Sequence, residues 1–222
     1  MSSSSKRLYA VYGASGFGRG VMPLARQQLI ASGEQNYELV FVDDGELQSQ
    51  INGHQVYNFD SFVELEASEK HIAIAIANHR IREILVKKID QYDMKHWSVS
   101  APTMICMDEV EIGEGAILCN YVHFTSNIKV GKFFHANYFS YIAHDCVIGD
   151  YVTFAPGVKC NGNIHIEDHA YIGTGAVIKQ GTPDQPLVIG KGAVVGMGAV
   201  VTKSVPAGVT VIGNPARILE KK

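Results

Sequence analysis

The chain has 222 residues, enough for one large domain or two small ones. Hydrophobic residues make up 46% and charged residues 18%, a globular balance that excludes a disordered chain. The 22 acids against 19 bases leave a net charge of -3, so the chain carries no electrostatic footprint for nucleic acid or an anionic membrane surface. Apolar runs such as residues 72–77 are too short to cross a bilayer. The serine-rich residues 1–6 read as a disordered or expression-derived start, not a signal peptide, so a cytoplasmic location is expected.

Residues 7–97 alternate strand-like and helix-like segments. Residues 8–12 form a β-branched and aromatic run that ends in Gly13-Ala14-Ser15-Gly16-Phe17-Gly18, and a helical pattern follows to about Ala31. Residues 37–42 read as a second strand closing at Asp43-Asp44; residues 71–77 read as a third, followed by a helix over 81–91. This order predicts a small Rossmann-like parallel α/β sheet. The glycine turn aims backbone N–H groups and a helix N-terminus at a site where an anion fits. Its spacing is GxxGxG rather than GxGxxG, and a tight strand-to-helix connection explains it equally well.

From Ile112 a different period takes over. Every sixth residue through Leu118, Phe124, Val130, Ala136 and Ile142 to Ile178 is apolar, twelve in succession. At the chain's 46% background that happens by chance about once in ten thousand. The residue four further on is small or apolar throughout, as at Ala116, Val122 and Ile128, and a glycine often follows the first position. After a turn-rich break at residues 179–188 the period resumes at Ile189, Val195 and Val201. A period of six fits short flat strands joined by tight corners in stacked coils.

This repeat resembles the hexapeptide-repeat acyltransferases, which implies a left-handed parallel β-helix over residues 98–222. Joined to the α/β domain, it resembles bacterial sugar acyltransferases of the sialic acid O-acetyltransferase type. Nearest among these are N-acetyltransferases for nucleotide-linked 4-amino-4,6-dideoxy sugars of the bacillosamine and viosamine kind. The resemblance implies that the α/β domain holds a nucleotide sugar through Gly13, Ser15, Gly16, Asp43, Asp44, Asn78 and Arg82. It also implies a homotrimer with acetyl-CoA in a groove between β-helices, along Gly162, Thr174, Gly196, Met197, Lys203 and Arg217.

By its residues alone the run Ile142-Ala143-His144-Asp145-Cys146-Val147-Ile148-Gly149 also fits a surface histidine beside an incidental aspartate; the resemblance, whose catalytic stretch has a histidine followed by an acid, implies that His144 and Asp145 are the catalytic pair. The six-residue period points Ile142 and Cys146 inward and leaves His144 and Asp145 near an outward corner. A histidine beside a carboxylate is held in one tautomer, as a general base requires. Adjacent side chains diverge along a strand, so the pair meets only if the backbone turns between them. Some members of the family it resembles carry a second histidine nine residues on, where this chain has Thr153, which donates a hydrogen bond but is no base. His123 and His135 are expected to be exposed; His165 and His169 fall on different faces, so no metal site is expected. Cys146 and Cys160 point inward, which favours direct transfer over an acetyl-cysteine. Phe133, Tyr138 and Phe139 are expected to be exposed on the coil faces. O-acetylation of a sugar hydroxyl and a non-catalytic nucleotide-sugar or NAD-binding scaffold remain open alternatives.

Overall fold

The computed structural model describes residues 6–45 and 48–220; the expected start at residues 1–5 lies outside them. The chain divides into two compact units, one ending at Pro102 and the other beginning at Thr103. The first contains β1 (Arg7–Tyr12), α1 (Gly16–Ala31), β2 (Tyr37–Val42), β3 (Gln50–Ile51), β4 (His54–Tyr57), α2 (Phe59–Glu64), β5 (Lys70–Ile74), α3 (His79–Ile89) and β6 (Lys95–His96). The sheet order is β3-β4-β2-β1-β5-β6. It is parallel except for the β3–β4 hairpin, which the hydrophobic pattern does not announce. Val11, Phe41 and Ala73 on the central strands are fully buried, as suits a parallel sheet covered on both faces. The third strand ends at Ile74, short of the expected Ala77, because Asn78 caps α3 and the chain must turn before it.

The second unit is a parallel β-helix. Its short strands stack into three sheets, and the register advances by 18 residues per coil, pairing Leu118 with Ala136 and Ala136 with Phe154. One coil is therefore three hexapeptides. Of the twelve positions from Ile112 to Ile178, eleven are buried and Ile112, in the first coil, is partly buried. The second set, from Ala116 to Ala176, is buried throughout. At the break, Ile164 pairs with Leu187, a step of 23 in place of 18, so the loop bulges out without disturbing the stack.

The corners explain how so few glycines suffice. From Glu109 to Gly175 every sixth residue has a positive φ, between 54° and 72°. A non-glycine residue there costs roughly 1–2 kcal/mol. Stacking along the corners offsets part of this: Tyr121 lies on Phe139 at 5.2 Å, Phe133 on Tyr151 at 5.3 Å, and Tyr151 on His169 at 5.1 Å, all nearly parallel.

Two exposure expectations need correction. Phe133 is buried, because its ring stacks on Tyr151 and occupies space left by Gly115, where an added Cβ would come within 2.2 Å of it. His135 is also fully buried, in register between Ile117 and Thr153 in an outward column that is buried at all three positions. Phe139 is 60% exposed, as expected, whereas Tyr138 and His123 are half-buried. Inside the coil, Phe154 packs edge-on against Phe134 at 5.2 Å with no exposure. Phe154→Ala should cost about 3–5 kcal/mol, read as a lowered midpoint in denaturant unfolding.

Candidate active site

His144 and Asp145 sit where one sheet passes into the next, between strands Tyr141–Ile142 and Cys146–Ile148. Asp145 has a φ of 59°, and this left-handed turn removes the divergence that an extended backbone would impose. The imidazole Nδ1 meets Asp145 Oδ2 at 2.7 Å. An ionised carboxylate only accepts hydrogen bonds, so Nδ1 carries the hydrogen and Nε2 is left with its lone pair. The two side chains are 48% and 46% exposed, so the pair lies at the surface of the coil. The bond from His144, and after it one from Asn127, hold the Asp145 carboxyl below its ordinary range.

The neighbouring coils complete this corner. Asn127, one coil earlier, donates from Nδ2 to Asp145 Oδ1 at 3.1 Å. Gly162, one coil later, lies against the imidazole: a Cβ there would stand 2.5 Å from both Cε1 and Nε2. Asn163 N–H donates to the His144 carbonyl at 3.0 Å. A cleft of about 360 Å³ beside the corner is lined by Asp145, Asn163, His165, Pro183 and Pro186. Sequence reasoning passed over Asn127, although a step of one coil, 18 residues back from Asp145, lands on it.

The remaining candidates fall elsewhere. Thr174, Gly196 and Met197 gather on a different corner, where Thr174 C=O accepts from Gly198 N–H at 2.8 Å and Met197 is 80% exposed. Lys203 is exposed in a polar cleft with Lys179, Thr182 and Ser204. Arg217 lies on the final strand and donates to the Ala216 carbonyl. Thr153 is buried on another face from His144, in register with His135 and Tyr171. His165 is exposed on strand Ile164–Ile166 while His169 stacks on Tyr151, so the two do not converge. Cys160 is enclosed in the coil, its thiol pushed well up by the hydrogen bond with Cys146 and by burial.

In the α/β unit the glycine turn is tightly built. Gly13 has a φ of 111°, and a Cβ on Gly18 would fall 1.7 Å from the Gly13 carbonyl oxygen, so helix and turn touch backbone to backbone. Asp43 accepts from Ala14 N–H at 2.7 Å and Gly45 N–H at 2.9 Å, clamping the end of β2 to the turn. Burial pushes the Asp44 carboxyl up, but the Tyr12 hydroxyl at 2.6 Å, the Phe59 N–H and Lys88 together hold it below its ordinary value. Asn78 caps α3 by accepting from the N–H groups of Arg80 and Ile81, and Arg82 is fully buried, donating to the Ile76 carbonyl at 2.8 Å. Asp44, Asn78 and Arg82 thus bond protein groups. Ser15 and Gly16 are exposed, and Ser15 makes no side-chain cap bond to α1.

The chain is 49% identical to the GDP-perosamine N-acetyltransferase of Escherichia coli O157:H7 over 214 residues, covering 96% of this chain and 97% of that one. This chain belongs to the hexapeptide-repeat acetyltransferases. Within the acetyltransferase, residues 9–89 match the family described as the PglD N-terminal domain. Its fold superposes on WeeI from Acinetobacter baumannii AYE with a TM-score of 0.92 and 62% identity, over 96% of this chain and all of the other. The acetyltransferase domain of PglB from Neisseria gonorrhoeae FA1090, in complex with acetyl coenzyme A, superposes with a TM-score of 0.82 at 30% identity, over 96% and 100% of the two chains. Among its described residues the acetyltransferase has no helix long and apolar enough to cross a membrane.

Proposed function

We propose that this acetyltransferase moves the acetyl group of acetyl-CoA to the amine of a nucleotide-linked 4-amino-4,6-dideoxy sugar, with GDP-perosamine as the leading acceptor. The relative from Escherichia coli supports the substrate class. The observation that carries the chemistry is the exposed His144 ring, oriented by Asp145 at 2.7 Å with Nε2 directed away from the carboxylate. As the amine attacks the thioester carbonyl, a C–N bond forms and Nε2 takes the proton. Collapse of the tetrahedral intermediate breaks the C–S bond, and the imidazolium returns a proton to the CoA thiolate. A base of this kind contributes roughly 10²–10⁴-fold. Backbone N–H groups stabilise the oxyanion, and alignment of the two substrates supplies much of the rest.

The glycine turn with its uncapped Ser15 suits a nucleotide diphosphate at the α1 N-terminus. Thr174, Gly196 and Met197, on a corner remote in the coil from His144, suit a homotrimer in which one copy's corner faces another copy's base. The same reading places the enzyme in the cytoplasm, supplying N-acetylated sugars for a surface polysaccharide such as O-antigen. The test is CoA-thiol release from acetyl-CoA across GDP-, UDP- and dTDP-linked 4-amino sugars and their 4-hydroxyl counterparts. Turnover of one amino sugar with its hydroxyl counterpart inert is expected. Preference for the hydroxyl would make it an O-acetyltransferase, and binding without release would leave only a scaffold.

A further inference from the structure

We propose that Asn127 is a positioning residue for acetyl transfer, its amide holding the Asp145 carboxylate at the angle from which the second oxygen meets His144. The inference rests on His144 and Asp145 being the catalytic pair. Asp145 splits its oxygens: Oδ1 accepts from Asn127 Nδ2 at 3.1 Å and Oδ2 contacts His144 Nδ1 at 2.7 Å. Both partners stand on the coil scaffold, so the carboxylate is held from two sides. An exposed carboxylate without the first bond would be free to rotate about its side-chain torsions and sample solvent.

A turn requirement does not account for the asparagine. Asn127 has a φ of 58°, a conformation that asparagine tolerates. In the same column of corners Glu109 and Asn163 share this conformation, and in the other columns Tyr121, Phe133, Phe139, Tyr151 and His169 do. Glu109 shows that this column does not demand asparagine, and the amide of Asn127 makes a contact with Asp145 that the turn does not need. The backbone is tied separately, with Asn127 N–H donating to the Asp108 carbonyl at 3.1 Å and Asp145 N–H donating to the Ser126 carbonyl at 3.1 Å. Those bonds survive any change of the side chain. The other titratable groups around the corner are Asp108 and Glu109 in the preceding coil, His165 across the cleft and buried Cys146.

Two variants separate positioning from turn formation. Asn127→Gly keeps the left-handed backbone and deletes the amide. Asn127→Asp keeps shape and turn but replaces the amide with a carboxylate, which cannot donate to Asp145 Oδ1. The assay is steady-state acetyl transfer at several pH values with the full-length enzyme, alongside thermal unfolding and His144→Asn. Asn127→Gly should lower kcat about tenfold, the scale of an outer hydrogen-bond partner, with both KM values within about twofold and unfolding unchanged. Asn127→Asp, which also removes the donor, should lower kcat at least as far with KM values likewise unchanged. If both variants keep the parent kcat while His144→Asn is inactive, Asn127 only shapes the corner and the proposal is overturned. If Asn127→Gly unfolds, the kcat and KM values of Asn127→Asp decide alone. Full activity in His144→Asn would remove the catalytic pair itself, and the proposal with it.

Discussion

Replacing His144 by asparagine should lower kcat by about 10³-fold, within the span of general-base contributions, while both KM values stay within about twofold. The side chain is half exposed on a corner whose stacking rests on backbone bonds, including Ala143 N–H to the Cys160 carbonyl at 2.8 Å and Asn163 N–H to the His144 carbonyl. Neither bond involves the imidazole, so the coil should stay folded. Asparagine is polar and shorter, and it cannot take a proton at neutral pH. The loss should therefore fall on the chemical step, which CoA-thiol release at saturating substrates measures directly. Asp145→Asn complements it: without the carboxylate the ring loses the acceptor that orients it. Its kcat should fall less, by about tenfold. Parent-like turnover in His144→Asn would end the assignment of this corner as the catalytic site.

A period of six in apolar residues specified the coil because inward positions depend only on spacing, and Leu118, Phe124 and Ile142 are buried as that spacing demands. What covers an outward position is a different matter. Phe133 and His135 share the outward side with Phe139, yet they are buried and Phe139, although stacked on Tyr121, is not; Phe133 fills the space over Gly115 and His135 lies between Ile117 and Thr153, and spacing says nothing about such neighbours. The left-handed corners were hidden for a related reason. A glycine count finds Gly115, Gly157 and Gly175, but the same conformation is carried by Asn127, Asp145 and Tyr151. That conformation is what lets Asp145 reach His144. In the α/β unit, polar residues at strand ends invite a ligand reading, whereas Asn78 accepts from the first amides of α3 and Asp44 from the Tyr12 hydroxyl. A helix cap and a ligand contact draw on the same residue types, and only geometry separates them.

Gly162→Ala should lower kcat about 10²-fold without unfolding the coil, through displacement of the His144 ring. An ideal Cβ at Gly162 stands 2.5 Å from Cε1 and Nε2 and 3.0 Å from Cδ2, too close for both to stay. The backbone there is not left-handed, so alanine suits the main chain. The coil beneath is pinned by Gly181 N–H donating to the Gly162 carbonyl at 3.0 Å. The half-exposed imidazole is the partner free to move, and it swings toward solvent. A displacement of about 1 Å costs roughly 10²-fold where alignment matters. Because the ring leaves for water, stability should change by less than about 1 kcal/mol. The family resemblance instead places Gly162 along the path of CoA, and a double variant separates the two roles. If Gly162 acts through the ring, Gly162→Ala should cost nothing further on a His144→Asn background, the non-additivity of residues that act as a unit. If Gly162 admits the pantetheine, the change should raise KM for acetyl-CoA equally on both backgrounds. Additive losses in kcat would contradict the steric coupling of Gly162 to His144.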